Sequence, residues 1–137
     1  MDIICFSHLR WNFVYQRPQH LCTRFSKEYT IYFIEEPIFS EGVDHNIIAS
    51  GGNNIHIVTP YLDRNNTTDT GSRQEILLNK LMAEENICTY IFWYYSPMMF
   101  LFSKQFHPAL VVYDCMDELS AFKFAPPQLK DAEQELL

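Results

Sequence analysis

Ile87-Cys88-Thr89-Tyr90-Ile91-Phe92-Trp93-Tyr94-Tyr95-Ser96-Pro97-Met98-Met99-Phe100-Leu101-Phe102 (87–102) is almost uninterrupted apolar sequence, and its reading decides the fold. As one helix it falls short of the ~18 apolar residues that cross a bilayer. Ser96-Pro97 divides it, and proline is favoured in the first turn of a helix. The stretch therefore reads as a buried strand, Tyr90–Tyr94, then a turn, then an apolar helix opened by Ser96-Pro97. A strand that is apolar throughout, rather than alternating, belongs in a parallel sheet covered on both faces.

Working outward, similar runs recur. Ile3-Ile4-Cys5-Phe6 reads as a central strand, and Thr30-Ile31-Tyr32-Phe33-Ile34 as a second, halted by Glu35-Glu36-Pro37. Between them, Pro18 suits a first helical turn, with Leu21, Cys22 and Phe25 on one face. Asn46–Ala49 and Ile55–Val58 flank Ser50-Gly51-Gly52-Asn53-Asn54, a hairpin signal leading into a third core strand that Pro60 is expected to end. The span from Leu62 to Gly71 reads as a mobile surface loop. Ser72-Arg73-Gln74-Glu75 reads as a capping box, after which Ile76, Leu77, Leu81 and Met82 repeat at helical spacing. Leu110-Val111-Val112-Tyr113 is a further strand. Pro126-Pro127 is expected to start a last helix, with Leu129, Ala132, Leu136 and Leu137 on one stripe.

Strands alternating with amphipathic helices predict an α/β fold: a Rossmann-like, mostly parallel sheet with helices on both faces, in a single domain over 1–137. The chain stops on Leu136-Leu137, inside the apolar stripe and without a C-terminal cap. The expectation is an incomplete N-terminal half of a longer two-domain protein. The alternative is a natural terminus covered by a partner or by self-association through the last helix.

Composition narrows the function classes. The 137 residues are 47% hydrophobic, 15% aromatic and 20% charged, with ten Lys+Arg against seventeen Asp+Glu for a net charge of −7. That is globular, and it argues against nucleic acid or anionic lipid as a non-specific partner. The four cysteines, Cys5, Cys22, Cys88 and Cys115, form no C-x-x-C pair and no zinc-finger spacing, so they read as reduced thiols of a cytosolic protein. The N-terminus lacks the features of a signal peptide.

In open α/β sheets ligands bind beyond the carboxyl ends of the strands, and four segments are expected to converge there. The loop after the first strand holds His8, Arg10, Trp11, Tyr15, Gln16, Arg17 and His20. No glycine precedes Gly42, so the G-x-G-x-x-G fingerprint of NAD or FAD binding is missing and no cofactor is expected. The loop's donors can hold an anion or sugar hydroxyls; equally, Trp11 and Tyr15 can lid the sheet while the arginines are solvated. Asp114, Asp117 and Glu118 cluster at another strand's end. A carboxylate there can act as general base, or cap a turn, or pair with Arg10 or Arg17. No Asp-x-Asp triplet supports a metal. Trp93-Tyr94-Tyr95 can stack on a sugar, with Tyr95 the foremost contact, or fill the core. Glu35-Glu36-Pro37 reads as a polar strand exit rather than a site.

With these segments in place, the chain resembles the N-terminal part of a bacterial GT-B-type glycosyltransferase of the family-1/4-like group that includes teichuronic-acid-type cell-envelope enzymes. The matching residues are Trp11 with Gln16-Arg17-Pro18-Gln19-His20-Leu21, then Glu35-Glu36-Pro37, Val58-Thr59-Pro60, Trp93-Tyr94-Tyr95-Ser96-Pro97-Met98, and Val112 through Phe122. The resemblance implies two Rossmann-like domains facing a cleft, this chain supplying most of the acceptor side. It implies a nucleotide sugar held mainly by the other domain, and a glycan or lipid-linked acceptor held by this one. It places the protein in the cytoplasm or at the inner face of the membrane, with peripheral membrane contact. In inverting members an N-domain carboxylate is the base, which by position is Asp114 or Asp117; retaining members need none. Related reading frames travel with UDP-galactopyranose mutase, but the flavin fingerprint of that enzyme is missing here. The alternative from another class is a non-catalytic α/β binding or assembly module.

Overall fold

The computed structural model describes residues 1–8, 10–11, 22–95 and 97–113. Among these, seven strands form one sheet: β1 (Asp2–Phe6), β2 (Thr30–Ile34), β3 (Ile38–Ser40), β4 (His45–Gly52), β5 (Ile55–Asp63), β6 (Tyr90–Tyr94) and β7 (Leu110–Tyr113). Residues 22–25 are helical (α1), Thr70–Glu84 forms α2, and a 3₁₀ turn at Pro97–Met99 runs into the single turn of α3 (Phe100–Ser103). Strands β5, β2, β1, β6 and β7 lie side by side and parallel. Counted along the chain, that is the 3-2-1-4-5 order of a Rossmann-like sheet.

The strands carry apolar residues on both sides because both faces are covered. Ile4, Phe6, Tyr32, Ile34, Phe92 and Tyr94 face Leu78, Leu81 and Met82 of α2 and Met99 and Phe102 around α3. Ile3, Cys5, Ile31, Phe33 and Ile55 face Cys22 of α1, with Trp11, Phe25 and Trp93 packed around them. Adjacent residues of β1 thus enter different cores, as a period of two requires.

Several boundaries differ from the sequence reading. Pro60 does not end β5, which continues to Asp63. The Val58 carbonyl accepts from the Glu35 N–H on the β2 side, so alternation turns the Pro60 nitrogen toward the break between β2 and β3, where no ladder donor is required. The three-residue β3 went unanticipated; it pairs with Tyr61–Asp63 just past that break. Leu62, expected in a mobile loop, is fully buried in β5.

The hairpin forms as expected, and its glycines are sterically required. A Cβ on Gly51 would stand 2.8 Å from Cγ2 of Ile55, and Gly52 holds φ +139°. Asn54, at φ 59°, gives its carbonyl to the Ile31 N–H at 2.8 Å, which joins the turn to β2.

Helix α2 is capped by Asp69, not Ser72. The Asp69 carboxylate accepts from the Ser72 N–H at 3.0 Å and from its hydroxyl at 3.1 Å. A carboxylate three residues upstream displaces the serine as N-cap, and Ser72 falls inside the first turn. Ile76 is exposed while Leu78 takes the expected core place. The helix ends with Asn86 left-handed and the Ile87 N–H bonded to the Met82 carbonyl at 2.9 Å, the geometry of a Schellman cap.

Arg73 is buried and bidentate on Asp44, with Nε–Oδ2 2.8 Å and Nη2–Oδ1 2.7 Å, and also reaches the Asp63 carbonyl at 2.9 Å. Its guanidinium holds the Asp44 carboxyl down to about 2. At the far edge, Leu110 and Val111 of β7 are exposed. The helix expected from Pro126-Pro127 lies outside the described residues. Among the described residues, no helix is long and apolar enough to cross a membrane.

Candidate functional site at the carboxyl edge of the sheet

The strand order reverses between β1 and β6, and there an open α/β sheet leaves a crevice at the carboxyl ends. The Ser7 N–H closes onto the Ile34 carbonyl at 3.0 Å and the Tyr95 N–H onto the Phe6 carbonyl at 2.8 Å. Those are the last ladder bonds of β1 with its neighbours. Beyond them the chains part: Trp11 packs on the α1 face, whereas Met99 and Phe102 pack on the α2–α3 face.

Glu35 organises this rim. It is buried at the end of β2, and a buried carboxylate persists only when its oxygens are satisfied. Oε2 accepts from the Trp11 N–H at 2.7 Å, and Oε1 accepts from the Thr59 hydroxyl at 2.7 Å. Arg10 approaches the same Oε1 at 3.4 Å and donates to the Glu36 carbonyl. One carboxylate therefore joins β2, β5 and the loop after β1. The sequence reading took Glu35 for a strand exit. The signal available was an acidic residue directly after the apolar run Ile31–Ile34, with a threonine directly after the Ile55–Val58 segment of the neighbouring strand.

The expected site residues divide as follows. Trp11 stands edge-to-face on Phe33 with ring centres 5.0 Å apart, so its indole lids the α1 face. His8 sits at the mouth of the crevice, partly buried; among the described residues its Nδ1 has no hydrogen-bond partner and is shielded from solvent. Tyr95, expected to offer a stacking face, is 2% exposed and inclined over Trp93 at 6.3 Å. Trp93 in turn leans on Phe25 at 5.4 Å, and Tyr94 is fully buried, its hydroxyl bonded to that of Ser103. Burial drives the Tyr94 phenol well above its usual range. The triplet Trp93-Tyr94-Tyr95 at the end of β6 is therefore mostly core. His8, Arg10, Trp11 and Tyr95 share one end of the sheet. Gln16, Arg17, His20, Asp114, Asp117 and Glu118 lie outside the described residues.

Next to this rim a cleft of about 670 Å³ opens between the start of α2 and the α3 segment, with Glu36 and Pro37 at its upper end. Its size is that of a small-ligand site. Among the described residues no three His, Cys, Asp or Glu side chains gather as a metal site would need. Cys5 and Cys22 are free thiols in contact at 3.5 Å beneath the loop that carries Trp11. Their mutual hydrogen bond, then burial, raises the Cys5 thiol, and both buried side chains pack as small hydrophobes.

Compared with protein-family models, with curated proteins and with solved structures, the chain finds no match.

Proposed function

We propose that this chain is the acceptor-side domain of a GT-B-type glycosyltransferase that moves a sugar from a nucleotide-sugar donor to an envelope polysaccharide or lipid-linked acceptor. The observation that carries the reading is the switch point of the 3-2-1-4-5 sheet, where Glu35 fastens Arg10 and Trp11 beside His8. Fold alone supports many chemistries, so the weight rests on this rim and on the motifs of the resemblance. In this reading the donor is held chiefly by another domain. His8, Arg10, Trp11, Gln16, Arg17, His20, Tyr95 and Glu118 serve the acceptor, and Asp114 or Asp117 is the base. The enzyme works in the cytoplasm, at the inner face of the membrane when its acceptor is lipid-linked.

The test uses the product of the complete reading frame. It is expected to transfer sugar from a UDP- or GDP-linked donor, and Asp114→Asn or Asp117→Asn is expected to lower kcat about 10²–10⁴-fold with KM little changed. Transfer that is equally fast in both variants removes the base assignment. Absence of transfer from every such donor removes the reading. The 137-residue chain alone is expected to be inactive, because donor and acceptor are no longer held together.

A further inference from the structure

Among the described residues β4 pairs only with β5, and its outer edge faces solvent. Ile47 and Ile48 point to opposite faces of the sheet, yet they are 47% and 41% exposed. Ala49 and Ser50 beside them are exposed too. Val43, two residues before the strand, is 85% exposed. Ile76, also exposed, lies one turn on from Arg73, on the flank of α2 that the Arg73–Asp44 pair and the Asn46–Leu77 bond hold over β4. Four branched apolar side chains thus gather at one border, where a lone one would be ordinary.

Backbone alternation fixes what this edge offers. The Asn54 and Val58 carbonyls accept from the N–H groups of Ile31 and Glu35, so even-numbered residues of β5 turn toward β2 and odd-numbered ones toward β4. Through the register Ile47↔Thr59 and Ala49↔Ile57, Ile47 and Ala49 bond to β5. Asn46, Ile48 and Ser50 then present their N–H and C=O groups outward. Such edges are normally guarded by charge or proline, but from His45 to Thr59 there is no Asp, Glu, Lys, Arg or Pro. The guard present is the register shift between Ser50 and Gly52, which limits the straight edge to Asn46–Ser50.

We infer that β4 pairs antiparallel with β4 of a second copy of this chain, about a two-fold axis through Ile48, so that the two sheets join edge to edge. In that register Ile48 exchanges both backbone bonds with its own counterpart, and Asn46 does so with Ser50 of the other copy. No donor or acceptor of the segment is left over. On one face the two Ile48 side chains meet, on the side of the sheet that carries Ile76; on the other, Ile47 meets Ala49. The charge pattern selects both the orientation and the occupant. Glu41 and Asp44 precede the strand, whereas Gly51-Gly52-Asn53-Asn54 follows it, so the two-fold sets each acidic end against the other copy's neutral turn. A parallel copy would bring the acidic ends side by side, and a charged peptide would find no opposite charge along Asn46–Ser50. Because the axis uses both edges, pairing closes at two copies. The contact is small beside the ~1,200 Å² of stable interfaces, so the pair is expected to part on dilution. The inference is independent of the transferase reading.

Sedimentation velocity of the 137-residue chain is expected to show a dimer at about 100 μM that dissociates at about 1 μM. Ile48→Lys and Ile48→Glu, each at an exposed position, are expected to weaken it at least roughly tenfold, since like charges then face each other across the axis. An equimolar mixture of the two variants is expected to regain the dimer, because an axis through position 48 sets the opposite charges together. Hydrogen exchange of the wild-type chain gives a readout without substitution. The amides of Asn46, Ile48 and Ser50 are expected to be slow in the dimer and to quicken on dilution, while those of Ile47 and Ala49 do not change. A chain that stays monomeric at the higher concentration overturns the inference; if those three amides are protected even so, a segment of the same chain covers the edge. A dimer that both variants retain places the contact elsewhere and overturns it. A mixture that stays monomeric, or exchange without alternation along β4, overturns it too.

Discussion

The two faces of the sheet are built from neighbouring residues of the same strands, yet they are different materials. The face under α2 and α3 is a stack of rings. Phe6 lies 4.8 Å from Tyr94 in near-parallel contact and 5.0 Å edge-on from Phe92, with Phe102 at 6.0 Å. Among the described residues the face under α1 is filled instead by isoleucines, Phe33 and two touching thiols, and lidded by Trp11. The first is packed for rigidity; the second supports the loop that carries the candidate site. Each face also has its own ionic tie, Arg73–Asp44 for α2 and Glu35 with Arg10 for the loop.

Substitution within β1 tests the contrast most severely. Phe6→Ala removes the centre of the ring stack and is expected to cost roughly 3–5 kcal/mol in urea unfolding. A matched pair sharpens it: Ile4→Ala and Ile3→Ala should both fall within about 2–5 kcal/mol, Ile4 near the top because interlocked rings relax least into a cavity. Equal losses would mean that the faces are packed alike.

The ionic ties come next. Asp44→Asn leaves Arg73 short of its charge partner and is expected to lower Tm by roughly 5–10 °C, the backbone carbonyls on Arg73 limiting the damage. The folded-state value of Asp44, about 2, lies below that of a free carboxyl. Its contribution is therefore complete above about pH 4 and is lost as pH falls toward 2. The stability gap between wild type and Asp44→Asn should be flat at neutral pH and close in acid; a gap that persists at pH 2 contradicts the assignment. Glu35→Ala is expected to cost roughly 1–3 kcal/mol by orphaning the Trp11 amide and the Thr59 hydroxyl. Hydrogen exchange at Trp11 should quicken while exchange in α2 stays unchanged. Uniform quickening would show that the two faces are not independent.

The smallest effect is chemical. In a Cys115→Ser background iodoacetamide should label Cys88, which is exposed, and spare Cys5 and Cys22 in the native protein. Labelling of Cys22 at the rate of Cys88 would mean that the α1 face opens readily.

The sequence was legible where local chemistry and tertiary environment agree. The apolar runs Thr30–Ile34, Tyr90–Tyr94 and Leu110–Tyr113 became strands at those residues, and Gly-Gly-Asn-Asn became the hairpin turn. It was misleading where a partner distant in the chain decides. β3 owes its existence to β5. Pro60 is tolerated because of a break in the opposite strand. Asp69 outcompetes Ser72 through its position before the helix. Ile76 and Leu78 are equally apolar, and only the angle of α2 on the sheet separates them. The placement of His8, Arg10, Trp11 and Tyr95 at the carboxyl edge was legible from the strand order, but the way Glu35 ties Arg10 and Trp11 there was not. Nothing local marks Glu35 as the common partner of Thr59, twenty-four positions later, and of Trp11, twenty-four positions earlier.

That shared carboxylate constrains how the rim can move. Lifting the indole off Phe33 would pull the amide of Trp11 away and leave one buried oxygen of Glu35, Oε2, without its donor, while Thr59 and Arg10 keep the other. Trp11 should therefore be either docked on Phe33 or released, and anything that binds at this rim must either fit the docked indole or bring a donor of its own to replace the amide it displaces.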